Sequence, residues 1–194
     1  MNKLFFFLVL FNCLLIGACS TTAKDHEEIT EQELLHDRRT REAILMDKDI
    51  EAKAYSELNS DDDLVTQCHF TITAYNGTVL VTGEAPNEEL KEKIISTVRE
   101  IPNVKLVHNN LAVSAPSDDN SRANDTLITD TIRIAFKQIR TLPDFDPSMV
   151  KVITENGTVY LMGLVHMDEG PVVINVTKLQ PGIKQIIVIF EYLD

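Results

Sequence analysis

The sequence predicts an α+β protein of two tandem modules, each running α-β-β-α-β with a three-stranded mixed sheet packed by two helices, behind a cleaved amino-terminal signal peptide. Three observations carry this. The segment Tyr75-Asn76-Gly77-Thr78-Val79-Leu80-Val81-Thr82-Gly83 returns eighty residues later as Glu155-Asn156-Gly157-Thr158-Val159-Tyr160-Leu161-Met162-Gly163, the mark of a duplicated unit. In both copies Asn-Gly separates two strand-like runs, the strongest short-range hairpin signal, because both residues accept the positive φ of a type I′ turn. Each copy also carries a downstream turn, Pro102-Asn103-Val104 or Pro181-Gly182-Ile183, ahead of one more strand.

Residues 1–18 hold one charge, Lys3, then a 13-residue stretch from Leu4 to Ile16 dominated by Leu, Phe, Ile and Val, then Gly17 and Ala18. A membrane-spanning helix needs about 20 apolar residues, so this stretch has the length of a secretory signal rather than a span. Ile16-Gly17-Ala18-Cys19 resembles the lipobox of bacterial lipoproteins, which implies that Cys19 becomes residue one and carries acyl chains. Ser20 after it resembles the outer-membrane sorting signal. Three chains, at roughly 0.8 kcal/mol per buried CH₂, make an effectively permanent anchor. Cys13 leaves with the signal, so Cys68 is the one remaining thiol and no intramolecular disulfide can form.

Residues 19–40 read as a lipidated tether, polar and acidic with Asp25, Glu27, Glu28, Glu31 and Glu33. The first module spans 41–115, with a helix at about 47–59, strands at 67–75 and 78–84, a helix at 87–100 and a strand at 104–113. Residues 116–122, rich in Ser and Asp, read as a solvated linker. The second module spans 123–194, with a helix at about 125–140, strands at 149–155 and 158–165, a helix at 169–179 and a strand at 183–192. Gly170, Pro171 and the β-branched run after them predict a second helix that starts late or is short.

Charge and motifs exclude several functions. Eighteen Lys+Arg against 30 Asp+Glu give a net charge of −12, or −13 once Lys3 is removed, and such a surface is repelled by nucleic acid. His26, His36, His69, His108 and His166 form no i, i+3 or i+4 pairs, so spacing offers no metal or haem site and no cofactor is expected. No nucleophile elbow or phosphate loop is present, and no enzymatic activity is expected. Asp61-Asp62-Asp63 lacks the alternation of a calcium loop and reads as a solvated turn. Asn76, Asn124, Asn156 and Asn175 lie in Asn-x-Thr sequons, two of them the hairpin turns, and Cys68 reads as a small apolar packer.

On a helical wheel with Leu127 at 0°, Ile128, Ile132, Ala135 and Ile139 fall at about 80° to 140°, a core-facing stripe. Arg133, Lys137 and Arg140 fall at about 220° to 280°, with Leu127 and Ile134 on the edge of the same outward arc. Apolar groups able to enter an acyl boundary and cations able to meet phosphates thus share one face, although Asp130 lies there too.

The α-β-β-α-β unit around Asn-Gly-x-Val with a following glycine resembles the BON domain, in both repeats. The lipobox, Asp37-Arg38-Arg39-Thr40, Asn124-Asp125-Thr126 and the run 151–165 extend the likeness to outer-membrane lipoproteins with two BON domains. The resemblance implies a periplasm-facing, lipid-anchored protein that binds anionic phospholipids, phosphatidylglycerol or cardiolipin, through the first helix of its second module, gathers at the division site and supports envelope integrity. It places Leu127, Arg133, Ile134, Lys137 and Arg140 in that contact. Leu127 stands where a well-known member of that family has a tryptophan, so insertion is expected to be weaker. The alternative is a non-enzymatic adaptor whose modules dock onto an envelope protein such as the outer-membrane assembly machinery.

Overall fold

The computed structural model describes residues 36–193; the expected signal peptide, Cys19 and most of the expected tether lie outside them. The first module comprises α1 (Arg41–Leu58), α2 (Asp62–Gln67), β1 (His69–Tyr75), β2 (Thr78–Ala85), α3 (Glu88–Glu100) and β3 (Leu106–Val113). The second comprises α4 (Asp119–Phe136), a 3₁₀ turn (Pro147–Met149), β4 (Val150–Glu155), β5 (Thr158–His166), α5 (Glu169–Lys178) and β6 (Gln185–Leu193). In each sheet the hairpin is antiparallel and the last strand pairs parallel with the middle one, in the orders β1-β2-β3 and β4-β5-β6. These are two α-β-β-α-β modules with mixed three-stranded sheets.

The hairpins turn as their residues dictate. Asn76 and Gly77 have φ of 51° and 81°, and Asn156 and Gly157 have 49° and 75°. The second glycine of the repeat has a different task, since the first strand crosses it closely. A Cβ on Gly83 would meet the His69 carbonyl oxygen at 2.1 Å, and one on Gly163 would meet that of Met149 at 2.7 Å.

Helix boundaries moved where caps outweighed periodicity. Thr40 caps α1 through Ala43 N–H at 3.2 Å, so the helix starts well before residue 47. Asp118 accepts from Ser121 N–H at 2.8 Å, and α4 therefore begins within the stretch expected to be linker. Asp61 is the cap of α2 and pairs with Lys93, so the acidic run opens a short helix instead of forming a solvated turn. The helix α5 has ten residues against thirteen in α3, short as its sequence suggested, yet it begins at Glu169 without delay.

The helices of each module cover one face of its sheet. Ile50, Leu58, Ile72, Val81, Ile94 and Val98 fill the first core, and Ile128, Ile132, Phe136, Val152, Leu161 and Val173 fill the second. Cys68 packs at the edge of the first core, where burial pushes its thiol pKa up. The two helix-free sheet faces pack on each other through Tyr75, Leu80, Tyr160 and Met162, flanked by Ile153, Leu164, Ile187 and Ile189. Strands β2 and β5 are therefore buried on both sides, which is why they are apolar at odd and even positions alike.

The last residues of the expected tether are part of this junction. Arg38 donates to Glu169 Oε1 at 2.6 Å and to the Leu164 carbonyl at 3.2 Å, both in the second module. Arg39 pairs with Asp37 and Asp47 at 2.6 Å each and lies 3.9 Å over the Tyr75 ring. Asp37-Arg38-Arg39-Thr40 is thus a strap across both modules rather than solvated spacer.

Candidate functional site

Because the modules dock sheet to sheet, their helices face outward, and the outer face of α4 stays open. Ile128, Ile132 and Phe136 point into the core while Leu127 is 66% and Ile134 60% exposed. The two lie two turns apart on one helical face, close enough in angle to be presented together. Arg133 lies beside them, exposed, with Asp130 one turn back at 3.9 Å, too long and too solvated to neutralise it firmly. Lys137 caps the helix, exposed and without an ion pair among the described residues.

Arg140 is a correction to the helical wheel. α4 ends at Phe136, where Gln138 and Ile139 N–H groups bond back to Ala135 and Phe136 in tightened i to i+3 fashion. The chain then turns to bring Phe145 edge-on to Phe136, ring centroids 6.3 Å apart. Packing of that aromatic pair ends the helix, and Arg140 sits exposed in the loop beyond it rather than on the Arg133 row. Leu127, Arg133 and Ile134 share the helical face, Lys137 stands at its end, and Arg140 belongs to the adjoining loop.

A residue that periodicity could not single out positions this helix. Asp125, buried on α4, accepts the N–H groups of Asn156 and Gly157 at 2.7 and 2.8 Å, so one carboxylate satisfies both amides of the hairpin turn. Asp47 on α1 does the same for Asn76 and Gly77, also at 2.7 and 2.8 Å. Lys105 and Lys184 complete the copies: their N–H groups donate to the carbonyls of Gly77 and Gly157 at 2.8 Å, and their methylenes lie against those glycines. The only sequence trace of the device is an aspartate at matching positions in Met46-Asp47-Lys48 and Asn124-Asp125-Thr126.

Among the described residues no helix is long and apolar enough to cross a membrane. An open cavity of about 440 Å³ on the second module is lined by Leu142, Pro143, Met167 and Leu193 together with Asp144, His166, Asp168 and Glu169, the last already paired with Arg38.

The chain is 27% identical over 158 residues to the outer membrane lipoprotein DolP of Haemophilus influenzae, covering 81% of this chain and 80% of that protein. It is 24% identical, over the same shares, to a 21 kDa hemolysin of Actinobacillus pleuropneumoniae. Among solved structures, CdsD, a structural protein of the type III secretion system of Chlamydia trachomatis, aligns over 78% of this chain and 94% of its own at 14% identity and a TM-score of 0.30. The BON domain model matches residues 46–115 and again 124–192, one match to each α-β-β-α-β module, and the chain belongs to the BON-domain family with two copies of the domain.

Proposed function

We propose that the chain is a non-enzymatic outer-membrane lipoprotein, anchored through Cys19 and facing the periplasm, that binds anionic phospholipid through α4 and its adjoining loop and supports envelope integrity at the division site. The observation that carries the lipid contact is the outward pair Leu127 and Ile134 flanking Arg133 on a helix whose opposite face is fixed in the core. An interfacial helix needs this combination of apolar side chains for the acyl boundary and cations for the phosphates. Each cation near an anionic leaflet contributes about 1 kcal/mol, so Arg133, Lys137 and Arg140 supply a weak attraction that a net negative protein cannot obtain from its overall field. The name of the Haemophilus relative supports the outer-membrane anchor. With acyl chains holding the protein at the bilayer, weak affinity suffices, because the tether keeps the local concentration of lipid high.

Co-sedimentation of unacylated protein with liposomes tests this. Enrichment on vesicles containing phosphatidylglycerol or cardiolipin over neutral ones, abolished by Arg133→Glu with Lys137→Glu, is the expected result. Equal binding by that double variant would remove the lipid site and favour the adaptor reading, in which crosslinking would capture an envelope protein instead. Mass spectrometry of the mature amino terminus checks acylation at Cys19.

A further inference from the structure

A second cluster of chemistry-bearing side chains lies at the module junction, beside a cavity whose rim includes Arg133 of α4. His69 opens β1 and pairs in register with Glu84 on β2, while Glu155 closes β4 of the other module. His69 Nδ1 stands 3.2 Å from Glu84 Oε2 and 3.8 Å from Glu155 Oε1, and one ligand atom from each of the three lies within 4.8 Å of the others. The close crossing at Gly83 holds β1 and β2 together here, since its missing Cβ admits the His69 backbone.

The charge is unbalanced. Glu84 and Glu155 are 4% and 9% exposed, and among the described residues neither forms an ion pair with lysine or arginine. Arg122 attracts Glu155 only at a distance and directs its donors to the Ser117 carbonyl and Asp119. Two carboxylates withdrawn from water beside each other are costly unless a cation or a proton joins them. The Thr82 hydroxyl, fully buried and without a hydrogen-bond partner, lies two residues before Glu84 on the same face of β2.

We propose that His69, Glu84 and Glu155 bind a divalent transition cation, Zn²⁺ being the best chemical match, which staples the two BON domains together. One imidazole nitrogen with two carboxylate oxygens is a donor set for zinc, whereas calcium and magnesium favour oxygen alone. Ligands at 2.0 to 2.2 Å from a tetrahedral ion stand about 3.4 Å apart, and the distances of 3.2 and 3.8 Å bracket that spacing before any ion draws the groups in. Ser117 N–H donates to Glu84 Oε2 at 3.2 Å and orients it, as outer-shell donors do at metal sites. An open cavity of about 380 Å³, lined by His69, Glu155 and Arg122 and on the α4 side by Asp125, Asp130 and Arg133, gives the ion a way in to the two ligands that face it. Local spacing gave no hint of this site because its ligands come from both halves of the repeat.

The test is calorimetric titration of the chelator-stripped protein with Zn²⁺, repeated with Mn²⁺ and Ca²⁺, on wild type, His69→Gln and Glu155→Gln. One Zn²⁺ per chain, a rise in Tm on its addition, and affinity weakened at least roughly 10- to 100-fold in each variant are expected. Glu155→Gln keeps the shape and removes a repelled charge, so it should fold, which near-ultraviolet circular dichroism verifies. Wild type titrated with Co²⁺ gives a readout independent of any variant: a visible d–d band of tetrahedral nitrogen-oxygen coordination is expected. Absence of saturable Zn²⁺ binding, equal affinity in Glu155→Gln, or absence of that band would overturn the site, and none of these outcomes bears on the lipid face of α4.

Discussion

The Tyr75 hydroxyl accepts a hydrogen bond from the Leu164 backbone N–H at 3.1 Å, joining the last strand residue before the first hairpin turn to the middle strand of the other domain. Tyr75 is 2% exposed, burial pushes its hydroxyl pKa up to about 12, and the Arg39 guanidinium covers its ring. The second copy of the repeat has Glu155 at this position, so the duplicated strand has diverged where the two domains meet.

Tyr75→Phe should keep the ring, its packing and the cation above it, and strand the Leu164 N–H. A buried donor left without a partner costs about 1 to 3 kcal/mol. Urea denaturation followed by circular dichroism measures this, and Phe70→Tyr on the same strand, whose side chain serves the first core, provides the contrast. An unchanged midpoint for Tyr75→Phe would mean that this bond does not hold the junction.

Asp125→Ala should uncover two turn amides at once, since both Asn156 and Gly157 donate to this carboxylate. Bonds to a charged acceptor contribute about 1.5 to 3 kcal/mol each, and the two share one group, so a loss of about 2 to 4 kcal/mol is expected. Hydrogen exchange should quicken at Asn156 and Gly157 while Asn76 and Gly77, held by Asp47, stay protected. Asp47→Ala should give the mirror-image pattern.

The Arg38 strap should respond to acid. Its bond and charge hold the Glu169 carboxyl below the ordinary carboxylate range, an effect that burial only partly opposes. A depressed folded-state pKa means that the stabilisation is complete above the unfolded pKa of about 4.3 and is lost as pH falls through the lower folded value. Tm measured from pH 7 down to about 3 should therefore drop more steeply in wild type than in Arg38→Ala. Parallel curves would show that the strap contributes no linkage.

Much of this was legible in the sequence, and the exceptions share a cause. The hairpins, both α-β-β-α-β orders and the outward placement of Leu127 and Ile134 follow from Asn-Gly chemistry and 3.6-residue periodicity, which are local. Asp125 under its turn, Arg38 on Glu169 and the meeting of His69 with Glu155 depend on how distant segments dock, and no window of neighbouring residues encodes them. The docking itself left one trace: Val79-Leu80-Val81 and Val159-Tyr160-Leu161-Met162 are apolar on both strand faces, as strands covered on both sides must be. Arg140 shows the opposite failure, periodicity carried past the point where Phe136 and Phe145 pack and end the helix.

Leu127→Trp should strengthen membrane binding without disturbing the fold, because the side chain it replaces is 66% exposed and touches no core. Tryptophan offers more apolar area together with an N–H for the headgroup region. A gain of about 1 kcal/mol, roughly fivefold in partition onto anionic liposomes, is the expected size. The chain contains no other tryptophan, so the new residue is also a selective probe. Its emission should shift to the blue on vesicles containing phosphatidylglycerol, and the shift should vanish when Arg133→Glu and Lys137→Glu are added, since the cations bring the helix to the surface that the indole then enters. An emission that stays at its solvated wavelength on every vesicle would mean that α4 does not insert, and the exposed Leu127 and Ile134 would then belong to a protein contact.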